Sequence, residues 1–265
     1  MAPSLDDLLS DLAHEHRDLD AVVATLSASA WATPTWAENW SIADQISHLA
    51  FFDERAAMAM TDPDGFARDF EQMVAAGRDA SVDRARSLTP AELLAAWRTA
   101  RSTLIDAARA ADPTARVPWY GPAMSLRSCV TARLMETWAH GQDVVDVLGI
   151  DRAGTARLRH VAHIAVGARA YALMVNRMTP DDRPVFVELS SPTGDTLTWG
   201  SPDAEGGSVR GAALEFCLVA IQRRHLLDTA LRVDGDAATQ WMSVVQAFAG
   251  PAGPGRDPLR GRRSS

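Results

Sequence analysis

The chain contains no lysine, only two cysteines and only two tyrosines among 265 residues. The cysteines, Cys129 and Cys217, are far apart and form no CxxC pair. This excludes a disulfide framework and a thiolate-rich metal site, and reads as a protein of a reducing cytoplasm. Arginine supplies all 26 basic residues against 34 acidic ones, a net charge of -8. Such a balance argues against a nucleic-acid partner, which needs a basic face. No apolar run approaches the roughly 18 residues of a membrane span. The first residues, MAPSLDDLLSDLAHEHRDLD, are acidic and amphipathic and lack the basic-then-apolar layout of a signal peptide. No internal repeat is evident. Abundant alanine and the use of arginine for lysine fit a GC-rich bacterial genome and carry no mechanism. What is present is ordinary for a globular protein: 47% hydrophobic and 23% charged residues, in a length that suits two domains.

The first 150 residues read as helices. Leu5, Leu8, Leu9, Leu12, Leu19, Val22, Val23 and Leu26 recur at helical spacing. After the connection ATPTWAENW, Ser41 opens a second helix with Asp44 at the capping-box position, ending before Asp62-Pro63. A shorter helix is expected around Phe66–Ala76. Thr89-Pro90-Ala91-Glu92 is a helix start, with proline at the first helical position and glutamate reaching back. That helix should reach about Ala111, and another should run from about Ser125 to Leu148. Four long amphipathic helices predict a bundle.

Beyond Gly149 the pattern changes. TARLRHVAHIAVGARAYALMVNR reads as one helical segment. RPVFVELSSPTGDTLTWG reads as a hairpin, because Val185, Val187 and Leu189, then Leu197 and Trp199, alternate across a Pro-Thr-Gly-Asp turn. A third strand at Gly207–Arg210, a helix over GAALEFCLVAIQRR, a strand at LRV and a last helix over AATQWMSVVQAFAG complete a small α+β domain. Its core should hold Val185, Val187, Leu189, Leu197, Phe216, Leu218 and Trp241. The predicted organisation is a bundle over 1–151, an α+β domain over 152–250 and a disordered Gly/Pro/Arg tail over 251–265.

In RLMETWAHGQD, Glu136 and His140 stand four residues apart, on one helical face. A carboxylate and an imidazole so placed either form an ion pair or share a divalent ion, and a stable site needs a third ligand. His48, mid-helix in SHLAFFD, is the candidate: bundles build metal centres from ligands on facing helices. A His₂Glu set leaves coordination positions open, which means catalysis rather than structure.

PTWAENWSIADQISHLAFFD resembles a hallmark of the mycothiol-dependent maleylpyruvate isomerase family, a branch of the DinB-like metal-binding bundles. There a tryptophan-containing turn precedes a helix with a His-Leu-Ala-x-x-Asp core. A second hallmark, Arg-x-x-Glu-x-x-x-His-x-x-Asp, is matched by Arg133, Glu136, His140 and Asp143. The family's Gly-x-Val-x-Gly strand-to-helix element is matched by GGSVRGAALEF, so the resemblance spans nearly the whole chain. It implies a two-domain α+β protein, a DinB-like four-helix bundle followed by a small sterol-carrier-like α+β domain. It places the metal ligands on His48, Glu136 and His140, with Zn²⁺ or another divalent transition metal bound. It also implies mycothiol, the small thiol of actinobacteria, as cosubstrate. VPWYGPAMS and FCLVAIQRRH depart from the better-studied enzymes, so the substrate does not carry over.

Other residues keep two readings. Cys129 either offers a thiol to the pocket or packs in the core. Trp36, Trp40 and Trp119 either line the pocket or anchor loops, with Trp40 and Trp119 the candidates for cofactor contact. Asp44 and Asp143 either support a ligating imidazole or serve as cap and surface groups. His14 and His16 read as solvated, and His160 and His163 receive no metal role. In the resembling isomerases an arginine of the C-terminal domain reaches a substrate carboxylate, which assigns Arg223 or Arg224 that role; the alternative is a helix-end charge. The expectation is a cytoplasmic enzyme, monomer or homodimer, with mycothiol and a small molecule as partners and neither nucleic acid nor membrane. It would be an isomerase or thiol transferase; a metal hydrolase or lyase using water, or a non-catalytic metal-binding protein, are the alternatives.

Overall fold

A computed structural model describes residues 4–259. The chain forms two compact units, Met1–Arg152 and Ala153–Ser265.

The first unit is a helix bundle. Helix α1 (Leu5–Val23) starts at a Ser4/Asp7 capping box. Helix α2 (Ile42–Thr61) starts the same way, Ser41 Oγ accepting from the Asp44 amide while the Asp44 carboxylate accepts from Ser41. Asp62 ends α2 and caps α3 (Pro63–Ala76). A short α4 (Asp83–Ser87) precedes α5 (Pro90–Ala110), which has the expected Thr89/Glu92 box. The loop then forms a two-stranded ribbon, β1 (Arg116–Val117) with β2 (Met124–Ser125), that leads into α6 (Leu126–Leu148). Helix α6 stops at Gly149, whose φ of 65° is the left-handed conformation of a helix C-terminus. Helix α2 packs on α5 and α6, and α1 packs on the same two. Leu19, Trp31, Ile42, Ile46, Leu49, Leu93, Trp97 and Val144 fill one buried cluster. Helix α4 and the ribbon were not legible in the sequence.

The second unit begins with α7 (Leu158–Gly167) and α8 (Arg169–Val175), two helices where the sequence suggested one. The strands β3 (Phe186–Ser190), β4 (Thr196–Trp199), β5 (Ser208–Ala212) and β6 (Arg232–Asp234) form a sheet of order β4-β3-β5-β6. β3 pairs antiparallel with β4 and parallel with β5. A Cβ on Gly207, at φ 102°, would lie 1.9 Å from the Asp234 carbonyl, which explains the glycine before β5. Helix α9 (Ala213–Ala220) packs on α7 and the sheet, and α10 (Asp236–Met242) closes the unit. Helix α9 ends at Ala220, short of the expected arginines, and α10 ends at Met242. Of the expected core, Val187, Leu189, Phe216, Leu218 and Trp241 are buried; Val185, which precedes β3, and Leu197, on the edge strand β4, are half-buried. In the segment expected as a tail, Leu259 N–H donates to the Asp228 carboxylate and the Pro251 carbonyl accepts from Gln246, while 260–265 lie outside the described residues. No helix among the described residues is long and apolar enough to cross a membrane.

Candidate metal centre

His48 sits on α2, and Glu136 and His140 one turn apart on α6. One ligand atom from each lies within 4.8 Å of the others. The imidazole rings are 4.5 Å apart between centroids, and His140 Nε2 is 3.2 Å from Glu136 Oε2.

The tautomer of His140 follows from a chain of hydrogen bonds. Thr35 Oγ1 donates to the Trp40 carbonyl at 2.9 Å, so it accepts from Gln45 Nε2, also at 2.9 Å. That turns Gln45 Oε1 to His140 Nδ1, 2.5 Å away, and an amide oxygen can only accept. Nδ1 therefore carries the proton, and in the neutral ring Nε2 presents a lone pair toward Glu136. Two electron-pair donors facing each other is an arrangement that a cation stabilises. His48 is fixed similarly at one nitrogen: its Nδ1 meets Ser81 Oγ at 3.0 Å, and Ser81 is itself held by Ser47, whose hydroxyl donates to the Ser81 carbonyl at 2.7 Å. Outer hydrogen bonds of this kind orient ligating imidazoles in metal sites.

Glu136 stays ionised. Burial pushes its carboxyl up, but a protonated His140, through its hydrogen bond and charge, with Arg133 and His48 beyond, outweighs burial and brings the pKa to about 2; with His140 neutral, a bound cation takes that place. Two neutral imidazoles and one carboxylate form a donor set suited to one Zn²⁺-like ion.

Beside the trio, Arg133 Nε donates to Asp53 Oδ1 at 2.9 Å, both groups buried. Asp53 Oδ2 is 3.8 Å from His16 Nε2. His16 is 2% exposed, not solvated as its sequence position suggested, because α1 turns it inward against the edge of Trp97. Burial, with Arg101 and Arg133 nearby, lowers its pKa to about 3, so it is neutral. Each of α1, α2, α5 and α6 thus contributes to one buried polar layer.

The remaining sequence candidates fall in different places. The Trp40 ring lies 5.9 Å from His140 at an interplanar angle of 17°, and 5.0 Å from His48. Trp119 stacks on Phe66 and is 6.3 Å from Phe52, while Trp36 is exposed. Cys129 is buried at 2% exposure, and burial raises its thiol to about 11, so it presents no thiolate to a ligand. Asp44 is occupied as the α2 cap, and Asp143 is buried. Arg223 and Arg224 belong to the second unit, past the end of α9, where Arg223 Nη1 donates to the Ile221 carbonyl. Gln45, Ser81, Asp53 and His16 were missed as participants. The signal for Gln45 was its position, three residues before His48 and so on the same face of α2.

Residues 12–145 match the model of a family described as the mycothiol maleylpyruvate isomerase N-terminal domain. Two uncharacterised proteins from two strains of Mycobacterium tuberculosis are each 46% identical over 255 residues, covering 94% of this chain and 97% of theirs. Among solved structures, a crystal structure of the mycothiol-dependent maleylpyruvate isomerase matches with a TM-score of 0.56 at 14% identity, covering 83% of this chain and 90% of that one. A histidine-to-alanine mutant of that enzyme gives 0.55 at 13%. At such identity the structural likeness establishes the fold.

Proposed function

This chain belongs to the mycothiol maleylpyruvate isomerase family through its N-terminal domain, and from that premise we propose a mycothiol-dependent metalloenzyme that isomerises a small organic electrophile or transfers the thiol to it. The observation that carries the reading is the convergence of His48, Glu136 and His140 from two helices onto one point. A divalent ion there would supply a positive centre that lowers the pKa of a neighbouring thiol toward neutrality. The chain's own residues do the rest. Glu136 and the two imidazoles would hold the ion, their summed charge of -1 leaving the site at +1, ready for one thiolate. Gln45 and Ser81 fix the imidazoles, and Trp40 lies against both rings and restricts their rotation. An arginine role in substrate binding rests on the resemblance alone, for Arg223 or Arg224.

The test is elemental analysis joined to a thiol-dependence assay. The purified chain should carry about one divalent ion, and His48→Ala, Glu136→Ala and His140→Ala should each remove most of it. Thiol addition or isomerisation should require mycothiol. Wild-type metal content in all three variants would end the metal assignment. Turnover indifferent to thiol would move the chemistry to metal-assisted hydrolysis or elimination by the same ligands.

A further inference from the structure

The trio is bordered by a continuous run of aromatic rings within the bundle. Trp40 lies beside both imidazoles. Phe52 lies one turn after His48, its ring 4.6 Å away. Beyond Phe52 stand Trp119 at 6.3 Å and Tyr120, edge-on, at 5.6 Å. These four rings are only partly buried. The wall is also braced from behind: buried Phe66 stacks on Trp119 at 5.8 Å and 8°. Trp119 and Tyr120 come from the VPWYGPAMS loop.

Charge is arranged differently. Two arginines on α2 and α6 are paired with carboxylates, Arg55 with Asp69 at 2.8 Å and Arg133, through Nε, with Asp53 at 2.9 Å. Arg55 also lies over the Phe51 ring, 3.3 Å from its centroid. Arg133 keeps one guanidinium nitrogen, Nη2, without a hydrogen-bond partner but is buried, so neither presents a solvent-open fork to a small carboxylate. Flat apolar ring faces next to a thiol-activating centre suit a planar conjugated group instead.

We propose that the bundle side of this site selects an electrophile carrying a planar aryl or extended conjugated group, held against Phe52 and Trp119 beside the metal trio. The inference rests on the thiol-dependent reading for its reaction but not for its binding. In the reaction the thiol adds across an activated C=C. A new S–C bond forms at the β-carbon, the π bond breaks toward the carbonyl, and the proton released by the thiol ends on the α-carbon.

The test uses the metal-loaded full chain and two probes, benzylideneacetone, a planar aryl enone, and maleate, a small dianion. Without thiol, saturation-transfer NMR should show the aryl protons of benzylideneacetone in contact with the protein. Trp119→Ala should weaken that binding about tenfold with metal content unchanged. Phe52→Leu, which keeps an apolar side chain in the helix, is the second variant should Trp119→Ala fail to fold. With mycothiol, KM for the enone should rise in both variants while kcat changes less. Saturable enone binding lost in the variants, even without thiol addition, supports the selecting wall and counts only against the thiol-dependent reading. Turnover of maleate without enone binding, or enone binding indifferent to both substitutions, overturns the proposal and leaves the thiol chemistry intact.

Discussion

At the residue scale, Gln45 decides how the site is poised. Its amide accepts from His140 Nδ1–H, and its orientation is dictated by Thr35 and the Trp40 carbonyl. Gln45→Leu removes that acceptor, frees the imidazole to rotate or change tautomer, and should lower metal affinity about 10–100-fold. Competition against a chromogenic chelator measures it, and Gln45→Glu, which keeps an acceptor, should retain most of the affinity. Unchanged affinity in Gln45→Leu would mean the ring is held by packing against Trp40 alone. The convergence of Glu136 and His140 was legible because their i, i+4 spacing places both on one helical face, with His48 as the expected third member of the cluster. Gln45 was not, since which neighbour an imidazole's second nitrogen meets depends on how α2 and α6 pack. Cys129 lost its thiol role for the same reason: the helix turns it into the core.

At the scale of elements, the bundle carries a buried polar layer that helical periodicity does not reveal. His16 reads as one of two surface histidines, yet it lies against Asp53 and Trp97 at the centre of the bundle. Its folded pKa of about 3 lies below the ordinary 6.5, so below pH 6.5 the unfolded chain takes up a proton that the fold refuses. Stability from this group is full above pH 6.5 and is lost as pH falls toward 3, at up to about 1.4 kcal/mol per pH unit. Asp53, pushed upward by burial against the pull of Arg133, contributes in the opposite direction, and Arg101 stays charged throughout. The check is therefore a difference profile: urea unfolding of metal-free wild type and His16→Leu between pH 3 and 7. Wild type should lose stability relative to the variant on acidification, and a flat difference would contradict a buried neutral His16. Helix starts, by contrast, were readable, because the Ser41/Asp44 and Thr89/Glu92 boxes are local chemistry. The break between α7 and α8 falls just after Gly167, a stop signal that the one-helix reading passes over as an internal glycine, and the early end of α9 has neither proline nor glycine to mark it.

At the scale of the whole molecule, the candidate ligands come from α2 and α6, so an ion bound by them would tie together two helices distant in sequence. Removing it should lower the melting temperature, since a ligand present at about 100 times its Kd stabilises the fold by roughly 2.7 kcal/mol. All three ligands lie in the first unit, Met1–Arg152. A fragment ending at residue 152 should accordingly keep the full chain's metal affinity, measured by the same chelator competition. Loss of the metal from a folded fragment would mean that the trio is not self-sufficient. The switch from helices to strands beyond α8 was legible because hydrophobic periodicity changes at about Val185 from helical spacing to alternation. The pairing of β3 with β5 was not, because a parallel partner is set by the fold rather than by a turn.

The central claim is that His48, Glu136 and His140 hold a divalent ion that accepts the mycothiol thiol. Cobalt-substituted protein tests it most directly, since cobalt reports a change of ligand from oxygen to sulfur in its near-ultraviolet spectrum. Adding mycothiol should produce an intense charge-transfer band that saturates at one thiol per chain, weaker with glutathione and absent in Glu136→Ala. An unchanged spectrum at saturating mycothiol, in cobalt protein that still turns over substrate, would contradict the claim.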